Sequence, residues 1–241
     1  MLSSAVSSKM IRSMAQKERF HHEETLTGFK YMANKALELQ GQGYEAPYAF
    51  EEAIGYMFSD IVRDKDGIAA AALFLRIVAK VYNEGQTILE LLNELYERST
   101  EISSNADSRY GYFASRNSYF RCEDPTLMIR AFHALRHTDG QLSYIRQFGS
   151  YDVVRIKDIS LGYDSQKDGL PQDKAVSPSS EMITFELKNG VVMTLRGSGT
   201  EPKLKYYIEA KATSTLEAEK RAEDIEEALK IVVERVGMCN T

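Results

Sequence analysis

The sequence feature that most constrains the fold is a β-hairpin pattern near the C-terminus. Apolar and polar residues alternate over 183–187, the pair Asn189-Gly190 follows, and a second strand-like run covers 191–195. Alternation with a period of two is the side-chain repeat of a β-strand, and Asn-Gly favours a two-residue type I′ turn. A third alternating run covers 204–210. This part of the chain is therefore predicted to form an antiparallel sheet.

Helical patterns accompany these strands. Residues 127–135 have helical periodicity, 152–159 read as a strand, and the polar, proline-containing stretch 162–180 reads as a loop. Ser214-Thr215-Leu216-Glu217 is a capping box that begins a C-terminal helix. The buried stripe of that helix is predicted to contain Ile225, Leu229, Val232, Val233 and Val236. We predict an α+β domain over residues 105–241.

The first 98 residues have a different pattern, in which helical and strand signals alternate. A helix is predicted over 7–16, and a second over 29–37 with Thr27 as its N-cap. A short strand is predicted over 46–50, and an apolar helix over 67–82 that packs against a sheet. Thr87-Ile88-Leu89-Glu90 is another capping box. This pattern predicts an α/β domain over 1–98, joined by a linker over 99–104 to the second domain.

Composition excludes several classes of protein. The 241 residues carry 30 Lys and Arg against 35 Asp and Glu, a net charge of −5, which disfavours a nucleic-acid partner. The two cysteines, Cys122 and Cys239, lie far apart without metal-ligand spacing, so a cytoplasmic location is expected. The longest apolar run, 68–75, is too short to span a membrane. The Ser-rich first 17 residues faintly resemble a transit peptide, but an ordinary amphipathic helix is favoured.

The loop between the second and third strands gathers groups that bind anions. It reads Arg196-Gly197-Ser198-Gly199-Thr200-Glu201-Pro202-Lys203, with Lys205 two residues further on. Two glycines permit the positive φ that turns successive N–H groups inward as a nest. Hydroxyls and a planar guanidinium add donors that match a phosphate. A phosphate site and a plain surface turn remain alternatives on these residues alone.

Other polar clusters are weaker candidates. Glu51 and Glu52 follow a predicted strand, where carboxylates accept hydrogen bonds from sugar hydroxyls, although acidic residues are also common at helix starts. Asp64-Lys65-Asp66-Gly67 lacks the register of a calcium loop, which leaves Lys65 as a positioned cation or Asp66 as a helix cap. His21 and His22 are interpreted as surface residues. His133 and His137 are interpreted as solvated or packed residues rather than metal ligands, because no third ligand is near.

The order and spacing of four motifs resemble the α-D-phosphohexomutase family. The motifs are Glu24-Thr25-Leu26-Thr27-Gly28-Phe29-Lys30, Phe50-Glu51-Glu52-Ala53-Ile54-Gly55-Tyr56, Asp64-Lys65-Asp66-Gly67 and the loop 196–203. The chain is similar to the C-terminal part of the phosphoglucomutase and phosphopentomutase branch. The resemblance implies an incomplete third domain with a mixed α/β sheet over 1–98. It also implies a TATA-binding-protein-like fourth domain over 105–241.

The resemblance also implies roles for individual residues. Arg196, Ser198, Gly199 and Thr200 are expected to hold the substrate phosphate, with Gly197 in the same loop and Lys205 as a further cation. In the sugar site, Thr27 and Gly28 are expected to line the pocket, Glu51 to bind hydroxyls and Lys65 to contact the reacting sugar phosphate. Ala53 stands where many relatives have Ser, which places one hydroxyl contact in doubt.

The resemblance is incomplete because two motifs are absent. The family transfers phosphate through a phosphoserine in a T-A-S-H-N-P-like loop and binds Mg²⁺ on a D-G-D-x-D-R-like loop, and neither occurs in this sequence. We therefore assign no catalytic residue, metal ligand or cofactor to this chain, although Mg²⁺ and a sugar-bisphosphate primer are implied for a complete enzyme. The expected function is substrate recognition in a sugar-phosphate mutase, with an N-terminal half or a full-length mutase as the expected partner. The alternative is a non-catalytic phosphosugar-binding or regulatory protein.

Overall fold

The chain divides into two compact units, Met1–Tyr112 and Phe113–Thr241. The computed structural model describes residues 1–97, 110–122, 124–138, 143–167, 181–198, 201–235 and 237. The predicted linker, 99–104, lies outside the described residues.

A four-stranded mixed sheet forms the first unit. Its strands are β1 (Leu2–Ser4), β2 (Glu23–Thr25), β3 (Tyr48–Glu51) and β4 (Gly55–Phe58), in the order β2-β1-β3-β4. Strand β1 runs parallel to both β2 and β3, and β4 returns antiparallel to β3. The helices are α1 (Met10–Glu18), α2 (Phe29–Gly41), α3 (Gly67–Asn83) and α4 (Ile88–Glu97). The α/β class predicted for this part is confirmed.

The core of this unit packs helix α2 against the sheet. Its buried side chains come from both: Leu2, Phe29, Met32, Ala36, Leu39, Ala46, Ala49 and Met57. Phe29, Met32 and Ala36 are buried as the helical periodicity predicts, whereas Leu37, predicted for the same face, is 50% exposed. The predicted cap is wrong, because Gly28 occupies the N-cap position with φ 110° and no side chain caps the helix. Glycine adopts that φ without the steric cost that a residue with a Cβ, such as threonine, would have at the N-cap position.

His22 directly precedes strand β2 and contacts strand β1 through its side chain. Its Nε2 lies 2.9 Å from the Oγ of buried Ser3. Burial lowers the pKa of His22 to about 4, against the opposing effect of the Glu24 carboxylate. The amino terminus, Arg12 and Lys9 lower it further. The imidazole is therefore neutral in the folded chain, and His22 is not the surface residue that was expected.

We predict that the first unit loses stability as the pH falls from about 6.5 to about 4. In that window the unfolded chain takes up a proton on His22 and the folded chain does not, so acid favours unfolding. Urea unfolding at several pH values should show this slope in the wild type and a flatter one in His22→Gln. His133→Gln, which removes an exposed histidine of the second unit, is the control variant and should keep the wild-type slope. An equal slope in all three proteins would contradict the prediction.

Helix α3 differs from its prediction. Its apolar sequence predicts a helix packed on a sheet, yet Val81 is its only buried residue. Large apolar side chains on α3 are exposed, among them Ile68 at 86%, Phe74 at 54% and Leu75 at 66%. A contiguous apolar surface of this kind favours association.

We expect the chain to self-associate through α3. The double variant Phe74→Gln/Leu75→Gln should lower the weight-average mass in sedimentation equilibrium, because it removes apolar surface that water solvates poorly. Leu216→Gln is the matched control, since Leu216 on helix α6 (Thr215–Glu234) is 77% exposed but lies in the other unit. A monodisperse wild-type monomer would sink the prediction.

A mostly antiparallel sheet forms the second unit. The strand order is β5-β11-β10-β9-β7-β6, with β8 paired to β7. The strands are β5 (Tyr112–Arg121), β6 (Gln147–Phe148), β7 (Tyr151–Asp158), β8 (Tyr163–Asp164), β9 (Met182–Leu187), β10 (Val191–Gly197) and β11 (Lys203–Ala212). Helices α5 (Pro125–Arg136) and α6 complete it. The α+β class is confirmed, and strand β5 was not predicted.

The core of the second unit lies between the sheet and its helices. Phe120, Phe148 and Phe185 from the strands and Phe132 from α5 are each at most 1% exposed. Alternation along β11 buries Leu204, Tyr206, Ile208 and Ala210, as its period of two predicts. The opposite face of β11 therefore carries Lys203 and Lys205.

The hairpin exists, but its turn is longer than predicted. Leu187 ends β9 and Val191 begins β10, so Lys188, Asn189 and Gly190 form a three-residue loop. Only Gly190 of the three has a positive φ, 82°, and its N–H donates to the Leu187 carbonyl at 3.0 Å. A type I′ turn needs positive φ at both central residues. Arg221 Nη1 donates to the Asn189 carbonyl at 2.6 Å, which ties the loop to α6.

Within the described residues, no helix is both long enough and apolar enough to cross a membrane.

Candidate functional site

The predicted sugar-site residues of the first unit lie at one edge of its sheet. Strands β1, β2 and β3 are parallel, so their carboxyl ends meet at the same edge. Ser4 pairs with Thr25, and Ser3 pairs with Phe50, which places Glu51 at that edge. Thr27 and Gly28 lie two and three residues after the end of β2. Open α/β sheets bind ligands at the carboxyl ends of their strands, and this edge has that geometry.

Glu51 and Lys65 meet within this group. The Lys65 Nζ lies 3.4 Å from Glu51 Oε1, and the Glu51 side chain is only 14% exposed. Glu51 pairs with Gly55 across the two strands, and a Cβ added at Gly55 would lie 2.7 Å from the Lys65 Cε and 2.6 Å from the Phe29 ring. Phe29 is the first residue of α2, directly after Gly28. The Phe29 ring and the Lys65 side chain therefore bring together three of the predicted motifs, those that contain Phe29, Gly55 and Lys65.

The loop that carries Lys65 is fixed by its two neighbours in sequence. Asp64 Oδ1 accepts from the Lys65 N–H at 2.7 Å. Asp66 caps α3 by accepting from the N–H groups of Ile68 and Ala69 at 3.0 and 2.9 Å. Asp66 is thus the N-cap of α3, one of the two alternatives that the sequence left open. Lys65, the residue before it, contacts Glu51.

The turn between β3 and β4 contains an unusual backbone conformation. Ile54 has φ 56°, and its N–H donates to the Glu52 carbonyl at 2.8 Å. A β-branched residue in this left-handed region costs about 1–3 kcal/mol. The Ile54 side chain is 79% exposed. The turn therefore exposes the apolar Ile54 side chain to solvent, two residues after Glu52.

Sequence reasoning missed a buried polar cluster behind this edge. Lys9 Nζ donates to Glu24 Oε1 at 2.7 Å and to the Ala5 carbonyl at 2.9 Å, and Arg12 also contacts Glu24 at 3.2 Å. These bonds hold the segment after β1 against β2. Lys9 and Arg12, the basic residues in the Ser-rich first segment, were the sequence feature from which this cluster could have been predicted.

The predicted phosphate loop of the second unit begins at the end of β10. Arg196 and Gly197 are its last residues, and Ser198 follows, while Gly199 and Thr200 lie outside the described residues. The Gly197 N–H donates to the Glu181 carbonyl at 3.0 Å, and the Ser198 N–H donates to the Lys203 carbonyl at 2.9 Å.

These bonds occupy two N–H groups of the predicted nest, and Gly197 is not among the glycines with positive φ. Gly199 and Thr200, which would complete the nest, lie outside the described residues. Strand β10 extends two residues beyond the predicted run 191–195. An anion at this loop is therefore left with side chains as its donors in the described part of the chain.

Two cations oppose each other across the strands at this point. Arg196 on β10 is the direct partner of Lys205 on β11, so both side chains leave the same face. Like charges directly opposite on a sheet are unfavourable unless an anion neutralises them. The Arg196 Nε donates weakly to the Gly197 carbonyl, at 3.4 Å.

Lys203 shares this face but has other partners. Its Nζ donates to Glu201 Oε1 at 2.7 Å and lies 4.2 Å from the centre of the Tyr119 ring. The hydrogen bond from Lys203 lowers the pKa of Glu201, which keeps that carboxylate charged. Lys205 also contributes electrostatically to this lowering, so Glu201 lies within reach of both lysines.

A buried ion cluster fixes the strand that supports the loop. Arg136, at the end of α5, donates from Nε to Asp158 Oδ2 at 2.7 Å and from Nη1 to Glu181 Oε1 at 3.0 Å. Burial alone would lower the pKa of Arg136, but the bonds to Glu181 and Asp158 outweigh it and raise that pKa. Glu181 is the residue whose carbonyl accepts from Gly197.

No group of three or more His, Cys, Asp or Glu side chains in the described part of the chain could hold a metal ion. The residues present thus do not fit the Mg²⁺ that the family resemblance implies, and we derive no step through that ion.

Comparison with known proteins identifies the family. The alpha/beta/alpha domain III of phosphoglucomutase/phosphomannomutase matches residues 1–99, and the C-terminal domain of the same family matches residues 153–228. The chain belongs to the phosphoglucomutase/phosphomannomutase family, and the resemblance found in its motifs is confirmed.

Individual relatives give the same assignment. The chain is 44% identical over 212 residues to a phosphopentomutase of Homo sapiens, which covers 87% of this chain and 32% of the relative. It is 40% identical over 209 residues to a glucose 1,6-bisphosphate synthase of Mus musculus, with 87% and 32% covered. The chain thus spans about a third of the length of the curated relatives it matches.

A solved structure shows the same fold. A phosphoglucomutase/phosphomannomutase family protein of Burkholderia thailandensis matches with a TM-score of 0.53 and 17% identity, covering 96% of this chain and 37% of that one.

Proposed function

We propose that this chain recognises a phosphorylated sugar as the substrate-binding part of a sugar-phosphate mutase. The substrate is glucose 1-phosphate or 6-phosphate, or the 1- or 5-phosphate of ribose or deoxyribose. The observation that carries the proposal is the cross-strand pair of Arg196 and Lys205 at the start of the loop. A phosphate dianion neutralises both charges, and the guanidinium can bind it through two parallel hydrogen bonds.

The first unit supplies the sugar contacts in this proposal. Glu51 accepts from hydroxyl groups, and Lys65 turns from Glu51 toward the reacting phosphate of the sugar. Thr27 and Gly28 line the sugar site, with Ser198, Gly199 and Thr200 completing the phosphate site. The support is the meeting of Glu51, Lys65 and Phe29 around Gly55.

Further parts of the proposal concern the assembled enzyme. We propose domain limits of 1–98 and 105–241, a TATA-binding-protein-like fold for the second, and a cytoplasmic location. A complete reaction would use Mg²⁺, a bisphosphate primer and the serine loop of an N-terminal half or a full-length mutase. The rival function, a phosphosugar-binding regulator, makes the same contacts without turnover.

An NMR titration tests the recognition proposal. Ribose 5-phosphate added to the ¹⁵N-labelled chain should shift the amides of 196–198 and 201–205 in the second unit and those near Glu51 in the first. Unphosphorylated ribose is the control and should leave the loop amides unshifted, because it lacks the dianion. Saturation without shifts at the loop would refute the phosphate assignment.

We predict that the chain alone does not interconvert sugar phosphates. The sequence contains neither the phosphoserine loop nor the metal loop, and phosphoryl transfer depends on a positioned nucleophile and charge neutralisation. A coupled assay with glucose 1-phosphate or ribose 1-phosphate, Mg²⁺ and bisphosphate primer should give the rate of a vector-only preparation. Turnover above that background would show that the site is complete without those loops.

A further inference from the structure

The loop between β9 and β10 contains an asparagine whose side-chain amide is poorly held. The Asn189 side chain is half-buried, and its Nδ2 is buried without a hydrogen-bond partner among the residues that the structure describes. Buried polar atoms in folded proteins almost always have such a partner. Gly190, the next residue, is exposed, so water and hydroxide reach its N–H. Nothing in the described chain therefore holds the NH₂ group of Asn189 in place.

The side-chain carbonyl of Asn189 is folded over the backbone of the two residues that follow it. Its Oδ1 accepts from the Val191 N–H at 3.3 Å, the contact of an Asx turn. The ring closed by this hydrogen bond contains the Asn189 Cγ and the Gly190 nitrogen, so these two atoms are kept close together. The Val191 N–H also stabilises negative charge that develops on Oδ1 when a nucleophile adds to Cγ.

Arg221 acts on the Gly190 nitrogen through the carbonyl of the same peptide group. Its Nη1 donates to the Asn189 carbonyl at 2.6 Å. When a peptide N–H loses its proton, most of the negative charge lies on the carbonyl oxygen, where a guanidinium stabilises it. This contact therefore makes the Gly190 N–H more acidic. It opposes the 3.0 Å hydrogen bond that holds this N–H on the Leu187 carbonyl.

We propose that Asn189 is a self-modification site, at which the Gly190 nitrogen displaces the side-chain amide with the assistance of Arg221. Hydroxide takes the proton of the Gly190 N–H, and the nitrogen forms a bond to the Asn189 Cγ. The bond from Cγ to Nδ2 breaks, and Nδ2 leaves as ammonia with a proton from water. Water then opens the five-membered succinimide at either of its carbonyls, which gives aspartate or isoaspartate at position 189. Either product places a carboxylate in the loop that Arg221 ties to α6.

Peptide mapping by mass spectrometry tests the proposal on the full chain, incubated in mildly alkaline buffer. The folded wild type should accumulate aspartate and isoaspartate at position 189. Arg221→Gln should lower that rate about tenfold, the low end of the effect of losing a hydrogen bond to a charged group. Arg221→Lys keeps the charge without the planar fork and should recover part of the rate. Lys220→Gln is the matched control, because Lys220 is an exposed cation of the same helix, and it should keep the wild-type rate.

Incubation in concentrated urea separates the effect of the fold from that of the local sequence. The wild type and Arg221→Gln should react equally fast when unfolded, because the contact between Arg221 and the Asn189 carbonyl exists only in the folded chain. Amide NMR spectra show that each variant stays folded in native buffer. A native rate in Arg221→Gln equal to or above that of the wild type overturns the role of Arg221. If Asn189 stays intact in the folded wild type and reacts only in urea, the fold protects the site and the proposal is wrong.

Discussion

Arg136→Ala is expected to destabilise the second unit by about 3–5 kcal/mol, the usual loss when one member of a buried ion cluster is removed. Arg136 is 6% exposed, and its guanidinium also bonds through Nη2 to Asp158 Oδ1 at 3.1 Å and to Glu181 Oε2. Removing it leaves two buried carboxylates, Asp158 and Glu181, without their counter-ion. This loss is large beside the total stability of a typical domain, about 5–15 kcal/mol.

The same substitution should disturb the candidate phosphate loop. Arg136 joins the end of α5 to the last residue of β7 and to the residue before β9, and the Glu181 carbonyl accepts from Gly197. Without the cluster, Glu181 is less well fixed, and the Gly197 backbone, which is hydrogen-bonded to Glu181, should move with it. Arg136→Lys should recover only part of the stability, because an ammonium cannot make two bidentate contacts.

Urea unfolding followed by NMR amide signals of 143–167 measures this effect in the intact chain, because those signals report the second unit alone. Arg130→Ala is the control, since Arg130 lies on the same helix with its side chain exposed. It should stay within about 0.5 kcal/mol of the wild type. A loss below about 1 kcal/mol for Arg136→Ala would show that the two carboxylates adapt without their counter-ion.

The sequence pattern predicted the strands of the second unit correctly where the alternation of apolar and polar residues matches the alternation of buried and exposed side chains. The strands around Asn189-Gly190 and the strand after the phosphate loop were all found, because alternation places their apolar residues in one core. The turn was mispredicted because the bonds from Arg221 and from the Lys211 N–H to the loop carbonyls come from distant residues. Such tertiary contacts have no signal in the local sequence.

The first unit was harder to predict because polar residues fill part of its centre. Strand β1 contains Ser3 and Ser4, which are at most 1% exposed, and no apolar period marks it. The hydroxyls are satisfied by His22 and Ser7, which other segments supply. For α3 the error was the reverse, because its composition predicted burial and the described chain leaves it exposed.

The candidate site was predictable in its residue types and not in its geometry. The loop composition predicted Arg196 and Lys205 as anion ligands, but it did not show that pairing with Glu181 and Lys203 uses the N–H groups at 197 and 198. The cross-strand opposition of the two cations depends on the register of β10 and β11. That register makes Arg196 the residue with the largest expected effect on binding.

Arg196→Ala is expected to weaken phosphosugar binding by about tenfold to a hundredfold. A charge-assisted contact between a guanidinium and a phosphate contributes about 1.5–3 kcal/mol, which corresponds to that range. Arg196→Lys should restore only part of the affinity, because an ammonium lacks the planar pair of N–H donors.

Calorimetric titration of the full chain with ribose 5-phosphate at moderate salt gives the affinities, and urea unfolding gives the stabilities. Lys188→Ala supplies the control, because Lys188 is an exposed cation of the same unit in the β9–β10 loop, at the other end of β10 from Arg196. It should bind as the wild type does. Unfolding shows whether each variant is still folded under the conditions of the titration, so that a loss of affinity can be assigned to the lost contact. If Arg196→Ala binds with unchanged affinity, the loop is only a turn, and the phosphate site must lie elsewhere on the chain.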